Sequence, residues 1–205
     1  MSGDADRFEM PTRAERDRSE LLALGCPPRA VAMVLEGGLV ETDATRFLDK
    51  PADDKPLTLL CGPPGTGKTV AGVRWLAGLH EAMARGEYAK QQVSDPLFIT
   101  AFALARWPRY DDETMRWLRV SRAIALDDLG REYLDAKGHF ASVLEELVDL
   151  RYSHERPLLV TSNLTSSGVW ERVGMRIHDR WRECGRVLEI RAPSLRRAGG
   201  AGGAP

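Results

Sequence analysis

The chain has 205 residues, enough for one domain with a modest appendage, and its 43% hydrophobic and 29% charged content is ordinary for a globular protein. The formal net charge of −1 excludes a global attraction to nucleic acid or membranes, so any such binding must be local. No apolar run is long enough to span a bilayer, and MSGDADRFEM at the start lacks the apolar segment of a secretory signal. Three cysteines without CxxC spacing favour reduced thiols in a cytoplasmic protein.

The N-terminal region predicts a small helical appendage. Thr12 and Glu15 have the spacing of a capping box, so a helix is expected over residues 12–24. Further helices are expected over residues 29–36 and 42–48. The polar, proline-bracketed run DKPADDKP then indicates a linker to the rest of the chain.

The rest of the chain alternates short apolar runs with amphipathic segments. Strands are expected over residues 57–61, 96–100, 123–126, 157–161 and 187–190. Helices are expected over residues 70–83, 101–107, 112–119, 139–154 and 167–182. This alternation predicts an α/β fold with a parallel sheet flanked by helices. We therefore divide the chain into a partly disordered appendage, a core domain and a flexible tail, at residues 1–50, 51–197 and 198–205.

Residues 62–69 read GPPGTGKT and fit the phosphate-binding loop G-x-x-x-x-G-K-[ST] at every fixed position. Its glycines let backbone N–H groups turn toward phosphates, Lys68 supplies a charge for the β- and γ-phosphates, and Thr69 supplies a hydroxyl for Mg²⁺. The alternative is a chance turn, but the predicted strand before the loop and helix after it favour ATP binding. The predicted nucleotide-binding residues are Gly62, Pro63, Pro64, Gly65, Thr66, Gly67, Lys68, Thr69 and Val70.

Polar residues follow two later strands, where an α/β sheet places its ligands. In AIALDDLG, Asp127 is predicted to hold Mg²⁺ and Asp128 to orient and polarise the attacking water, the alternative being a surface turn. Asn163 could reach that water or the γ-phosphate, although Thr-Ser-Asn alone is also an ordinary turn.

An arginine-rich segment, residues 169–197, begins within the last predicted helical region. Arg176 and Arg180 are four residues apart and share a helix face. One of them could act as an arginine finger on the γ-phosphoryl group of a neighbouring subunit. The alternative is a solvated, salt-bridged helix face.

The sequence LVDLRYSHERPLLVTSNLT, taken with GPPGTGKT, AIALDDLG and RIHDRW, resembles the AAA+ ATPases of the DnaC/DnaI helicase-loader and IstB group. The resemblance covers residues 56–197 and implies a P-loop NTPase (AAA+) core that uses ATP and Mg²⁺ and self-assembles into a homo-oligomer when ATP is bound. It implies work on a replicative DNA helicase or on DNA, or, in the IstB-like alternative, on a transposase. A plain nucleotide-binding module or small-molecule kinase is the third possibility.

The resemblance also assigns residues. It implies Walker A at residues 62–69, Walker B at Asp127 and Asp128, and sensor 1 at Asn163. The arginine finger falls on Arg180 in preference to Arg176, and Arg196 takes the sensor 2 place, with a leucine where the family has an aromatic residue. Two departures are that the helicase-binding domain of the loaders is replaced by about 50 residues without a zinc pattern, and that a large lid domain has no room.

Arginines and aromatic residues alternate after the second predicted strand, in the region where the loaders touch single-stranded DNA. They are Arg106, Trp107, Arg109, Tyr110, Arg116, Trp117 and Arg119. This composition suits base stacking and phosphate neutralisation and predicts weak, salt-sensitive binding. The alternative, which the sequence favours slightly, is that Trp107 and Trp117 anchor a core or an interface.

Overall fold

A computed structural model describes residues 12–37, 41–50, 52, 55–86, 94–106, 112–130 and 139–195. The predicted disordered start and flexible tail lie outside these residues, as do Trp107, Arg109, Tyr110 and Arg196.

Within the described residues, five strands form one all-parallel sheet in the order β2-β3-β4-β1-β5. The strands are β1 Leu57–Cys61, β2 Leu97–Thr100, β3 Ile124–Leu129, β4 Leu158–Ser162 and β5 Gly185–Glu189. Every residue of β1 and β4 is buried, as expected for central strands of a sheet covered on both faces. The predicted α/β class is confirmed.

Two strands, β3 and β5, differ most from the prediction, by two or three residues at one end. β3 continues through both Asp127 and Asp128, which the apolar pattern had placed after the strand. β5 begins at Gly185, because pairing with Leu57 of β1 extends it through residues that carry no apolar signal of their own. Both differences arise from pairing with a neighbouring strand, which a local pattern does not contain.

Nine helices are present in the described part of the chain. They are α1 Arg13–Ala23, α2 Pro28–Leu35, α3 Asp43–Leu48, α4 Lys68–Ala84, α5 Ala101–Ala105, α6 Asp112–Val120, α7 His139–Ser153, α8 Ser166–Val173 and α9 Met175–Cys184. The predicted capping box of α1 is confirmed: the Thr12 N–H donates to Glu15 Oε2 at 2.7 Å, and the Glu15 N–H donates to Thr12 Oγ1 at 3.3 Å. None of these helices combines the length and the apolar character that crossing a bilayer requires.

The two faces of the sheet carry different helices, because successive residues of a strand point to opposite sides. Helices α5, α7, α8 and α9 cover one face around residues such as Leu59 and Leu126. On the other face α1, α2 and α4 pack around Phe98 and Ala125. The helices before β1 therefore share a core with the sheet. After β5, the described residues up to Leu195 contain no lid domain.

Arg186 of β5 connects α3 to the edge of the sheet through hydrogen bonds. Its Nε donates to Thr58 Oγ1 at 3.0 Å, and its Nη1 donates to the carbonyls of Phe47 at 3.3 Å and Lys50 at 3.1 Å. The guanidinium also lies 4.8 Å from the centre of the Phe47 ring. One side chain thus donates to two carbonyls at the C-terminal end of α3, where the carbonyls of a helix lack N–H donors from a following turn.

Arg151 of α7 is fully buried and organises the chain segments that enter β3 and β4. Its Nη1 donates to the carbonyls of Ser121 at 2.6 Å and Leu118 at 3.3 Å, and its Nη2 donates to those of Arg122 at 2.8 Å and Pro157 at 3.1 Å. Burial lowers the pKa of Arg151 to about 9, so the group stays charged at neutral pH. A rigid, forked cation suits this role because it can serve several carbonyls at once.

We expect Arg151→Met to lower the free energy of unfolding by about 3 kcal/mol or more, because buried carbonyls would lose their donor. Urea unfolding of the purified variant measures this change. The matched control is Arg119→Ala, which removes an exposed ion pair to Glu146 at 3.3 Å and should have little effect. An Arg151→Met protein as stable as the control would contradict the structural role of Arg151.

Candidate nucleotide-binding site

The loop between β1 and α4 has a backbone that favours glycine at Gly62 and at Gly67. Gly62 has φ 126°, and a Cβ there would lie 2.2 Å from the carbonyl oxygen of Ile190. Gly67, with φ 88°, precedes the first residue of α4. Both values lie in the region that side-chain-bearing residues rarely adopt. The loop therefore passes closely under the end of β5 and leads directly into the N-terminus of α4, an end of a helix that suits phosphate.

Lys68 is held against the loop that it follows. Its Nζ donates to the carbonyls of Gly62 and Pro63, each at 2.8 Å, and to Thr66 Oγ1 at 3.4 Å, and the side chain is 6% exposed. A buried ammonium requires such acceptors. The contacts keep the charge at the mouth of the loop, where phosphate oxygens could take over some of these hydrogen bonds.

Thr69 and Asp127 meet across the cleft between α4 and β3. The Thr69 hydroxyl lies 3.1 Å from both carboxylate oxygens of Asp127. Thr161 Oγ1 donates to Asp127 Oδ1 at 2.6 Å. Asp127 is only 7% exposed, and burial raises its pKa although the Thr161 and Thr69 hydroxyls oppose the change. A carboxylate and a hydroxyl oxygen form the hard-oxygen donor set that Mg²⁺ prefers, so these residues fit that ion.

Asp128 occupies a bulge in β3. The β3–β4 register passes from Leu126 opposite Val160 to Leu129 opposite Ser162, which leaves one extra residue on β3. Asp128 has φ 66°, a left-handed conformation that is uncommon for a residue other than glycine. As a result Asp128 lines the cleft while Asp127 contacts Thr69 beside it, whereas a regular strand would send the two acids to opposite faces.

Asn163 and Thr161 hold Asp128 in this position. Asn163 Nδ2 donates to Asp128 Oδ1, and the Asp128 N–H donates to Thr161 Oγ1 at 3.0 Å. Since the same Thr161 hydroxyl donates to Asp127, it connects the two acids. Thr161 had no predicted role, and the signal for one was a hydroxyl residue near the end of a buried, largely apolar strand.

These residues open onto a cleft of about 410 Å³. Of the predicted site residues, those lining it are Pro64, Gly65, Gly67, Lys68, Thr69, Val70, Asp128 and Asn163. The opposite wall comes from the appendage and from the segment after β5, through Pro27, Arg29, Ala30, Met33 and Leu195. The cleft thus has a polar end at the loop and a more apolar end at α2. The sequence did not predict that α2 would line it.

The predicted arginines lie elsewhere. Arg176 and Arg180 are on α9, where both contact Asp149 of α7, and neither lines the cleft of its own chain. This placement agrees with contact to a neighbouring subunit, but it does not test that role. The sensor 2 assignment to Arg196 lies outside the described residues.

We expect Asp127→Asn to raise the thermal midpoint of the nucleotide-free protein by about 2–4 °C, the effect of about 1 kcal/mol on a chain of this size. Burial raises the folded-state pKa of Asp127, so its ionisation costs stability as pH rises above the unfolded-state pKa. The rise in thermal midpoint caused by Asp127→Asn should therefore be absent in acid, where Asp127 is protonated, and present at neutral pH.

Thermal unfolding at several pH values, without Mg²⁺ or nucleotide, measures the effect of Asp127→Asn. Asp17→Asn on α1, which removes an exposed pair with Arg13, is the control and should give no gain. A loss of stability at neutral pH would mean that the hydrogen bonds of Asp127 outweigh its desolvation.

No protein-family model and no curated protein matches the chain. Solved structures do match. A DnaC helicase loader has a TM-score of 0.55 and 17% identity, over 91% of this chain and 95% of that one. DnaI has a TM-score of 0.53 and 19% identity, over 93% and 87%.

AMPPCP-bound DnaA from Aquifex aeolicus has a TM-score of 0.56 and 20% identity, over 75% of this chain and 49% of that one. The chain thus spans about half the length of that DnaA, and most of DnaC and DnaI. At identities this low, the structural matches establish the fold and nothing finer. The structure therefore confirms the resemblance at that level: the chain has the P-loop AAA+ fold found in DnaC/DnaI-type helicase loaders and in DnaA.

Proposed function

We propose that the protein is an ATPase in which ATP binding and hydrolysis control assembly on a replicative DNA helicase and single-stranded DNA. One observation carries this proposal. Lys68, Thr69, Asp128 and Asn163 come from three separate parts of the chain and line one cleft, and Asp127 contacts Thr69 beside it. Their side chains are the types that bind phosphate, hold Mg²⁺ and orient water.

The residues divide the chemistry between them. The loop amides and Lys68 bind the β- and γ-phosphates, and Thr69 with Asp127 would hold Mg²⁺, which neutralises charge on the phosphate oxygens. Asp128 orients the attacking water and accepts its proton, while Asn163 fixes the Asp128 carboxylate. Water oxygen then bonds to the γ-phosphorus, and the bond to the bridging oxygen breaks with its electron pair leaving on ADP.

The apolar end of the cleft suits the base. Pro27, Ala30 and Met33 of the α2 region and Leu195 face the space beyond the loop, and flat apolar walls favour an aromatic ring. Because α2 packs on α4, nucleotide binding would tie the appendage to the helix that begins at Lys68. Binding could thereby change the surface that the appendage offers to a partner.

We expect Lys68→Ala to weaken ATP binding by about 10- to 100-fold, the equivalent of about 1.5–3 kcal/mol for a lost charge-assisted contact. Titration with a fluorescent ATP analogue measures it. Lys55→Ala, which changes a lysine before β1 outside the cleft, is the control and should bind normally. Equal affinities for the two variants would remove Lys68 from the phosphate site.

Asp128→Asn should still bind ATP but hydrolyse it about 10²- to 10⁴-fold more slowly, the usual contribution of a positioned general base. Phosphate release under saturating ATP measures turnover, and the binding titration provides the internal control. Unchanged turnover would exclude Asp128 as the residue that activates water.

The partner is inferred from the fold relatives and from the motifs. DnaC is described as a helicase loader, and a second DnaA structure contains AMPPCP and single-stranded DNA. We extend this to a cytoplasmic homo-oligomer that forms with ATP and acts on a replicative helicase. Affinity capture from the native host with ATP present tests it: recovery of a transposase in place of a helicase would favour the IstB-like alternative.

A DNA-contacting face is supported by aromatic residues that the core does not use. Trp117 of α6 and Phe102 of α5 are each 50% exposed, and the Arg106 guanidinium lies 5.4 Å from the centre of the Phe102 ring. Arg116 and Arg119 on α6 are also exposed. For Trp117 this exposure disfavours the core-anchor interpretation, whereas Trp107 lies outside the described residues.

We expect Trp117→Ala to weaken binding to oligo(dT) by about 10- to 100-fold, since stacking contributes about 1–3 kcal/mol per base. Arg116→Ala should lower the slope of log affinity against log salt by about 0.7, the value for one phosphate of a single strand. Fluorescence anisotropy in a salt series, with a non-hydrolysable ATP analogue, measures both. Arg13→Ala on α1 is the control, and affinities that stay equal across all three variants would place DNA binding elsewhere.

A further inference from the structure

The two arginines of α9 are not equivalent, although they contact the same carboxylate. Arg176 donates through Nη2 to Asp149 Oδ2 at 2.6 Å, so the end of its guanidinium is engaged. Arg180 donates to Asp149 Oδ1 through Nε, at 3.3 Å, and not through its terminal nitrogens. Within the described residues, nothing accepts a hydrogen bond from Nη1 or Nη2 of Arg180.

A second contact fixes the plane of the Arg180 guanidinium. Its central carbon lies 4.4 Å from the centre of the Tyr152 ring, a distance at which the cation and the π face attract each other. Tyr152 is held in turn, because its hydroxyl donates to Glu183 Oε1 at 2.6 Å. Asp149 and Tyr152 are three residues apart on α7 and so lie on the same helix face.

The contacts with Asp149 and Tyr152 restrict the orientation of the Arg180 guanidinium. They leave its two terminal nitrogens able to donate hydrogen bonds to another group. An arginine side chain free in solution loses substantial rotamer entropy on binding, and holding it in advance removes part of that cost. A terminal fork of two N–H-bearing nitrogens matches the oxygens of a phosphoryl group. Arg180 does not line the cleft of its own chain, so a nucleotide phosphoryl group that it contacts would be one bound by a second copy.

We propose that Asp149 and Tyr152 are positioning residues that orient Arg180 toward the γ-phosphoryl group bound by a neighbouring copy of this chain, and that Arg176 anchors the Asp149 carboxylate. This inference rests on the proposed ATPase function and deepens it. The inference assigns the arginine finger to Arg180 because Arg176 contacts Asp149 through a terminal nitrogen, whereas Arg180 contacts it through Nε.

Mixing two inactive variants tests the inference. Lys68→Ala lacks the phosphate contact and keeps Arg180, whereas Arg180→Ala keeps the cleft and lacks the arginine. Each alone should hydrolyse ATP poorly, with Arg180→Ala reduced by about 10³-fold or more. The mixture should regain activity, because Arg180 from the first chain completes the cleft of the second.

Asp149→Asn is then added to one chain at a time. In the Lys68→Ala chain, which donates the arginine, it should lower the kcat of the mixture by about 10- to 100-fold, the cost of misplacing a catalytic group. In the Arg180→Ala chain it should have no effect. The KM for ATP should stay unchanged in both cases, and Tyr152→Leu should show the same dependence on the chain that carries it.

Two controls match the residue types and the helices. Glu145→Gln lies one turn before Asp149 on α7, and Arg182→Ala changes an exposed arginine of α9, so both should leave the mixture active. Asp149→Glu keeps the carboxylate and should recover part of the activity that Asp149→Asn loses. Thermal unfolding of each variant verifies that it is folded.

The outcomes separate the inference from the function on which it rests. An equal loss with Asp149→Asn in either chain would mean that Asp149 supports folding or assembly, and would overturn the positioning role. An active wild type whose variants do not complement would show that Arg180 does not act across subunits. A wild type without ATPase activity at any protein concentration would overturn the proposed function, and the inference with it.

Discussion

The site depends on one irregularity, the extra residue in β3 where it pairs with β4. Without the bulge, Asp127 and Asp128 would point to opposite faces of the sheet, and Asp128 could not line the cleft on the side where Asp127 contacts Thr69. The left-handed backbone of Asp128 has an energetic cost, which the hydrogen bond from its N–H to Thr161 helps to offset. The same hydroxyl donates to Asp127, so a single β4 residue stabilises both the backbone irregularity and the acid pair that it creates.

Local signals predicted the parts of the fold that depend on neighbours in sequence. The phosphate-binding loop is defined by an unbroken octet, and the close approach of Gly62 to Ile190 explains why a glycine stands at its start. The capping box of α1 and the apolar runs of β1 and β4 likewise need only a few adjacent residues. Each of these features has a physical cause that is complete within a short window of sequence.

Features that depend on distant pairing were not predictable in this way. The extension of β3 through two acids follows from its register with β4, although isolated acids disfavour a strand. Met33 lines the cleft only because α2 packs against α4, and the burial of Arg151 follows from four carbonyls that converge on α7. In each case the partner is supplied by another part of the chain, so the residue type alone carries no signal.

Helix α7 connects the stability of the domain to its arginine pair. Asp149 and Tyr152 face α9, whereas Arg151, two residues from Asp149 and so about 200° around the helix, faces the segments that enter β3 and β4. The buried guanidinium therefore fixes the rotation of α7 about its axis, and this rotation sets where the Asp149 carboxylate stands. If Arg180 acts on a neighbouring subunit, the direction of its guanidinium therefore depends on the hydrogen bonds of Arg151, on the opposite side of the same helix.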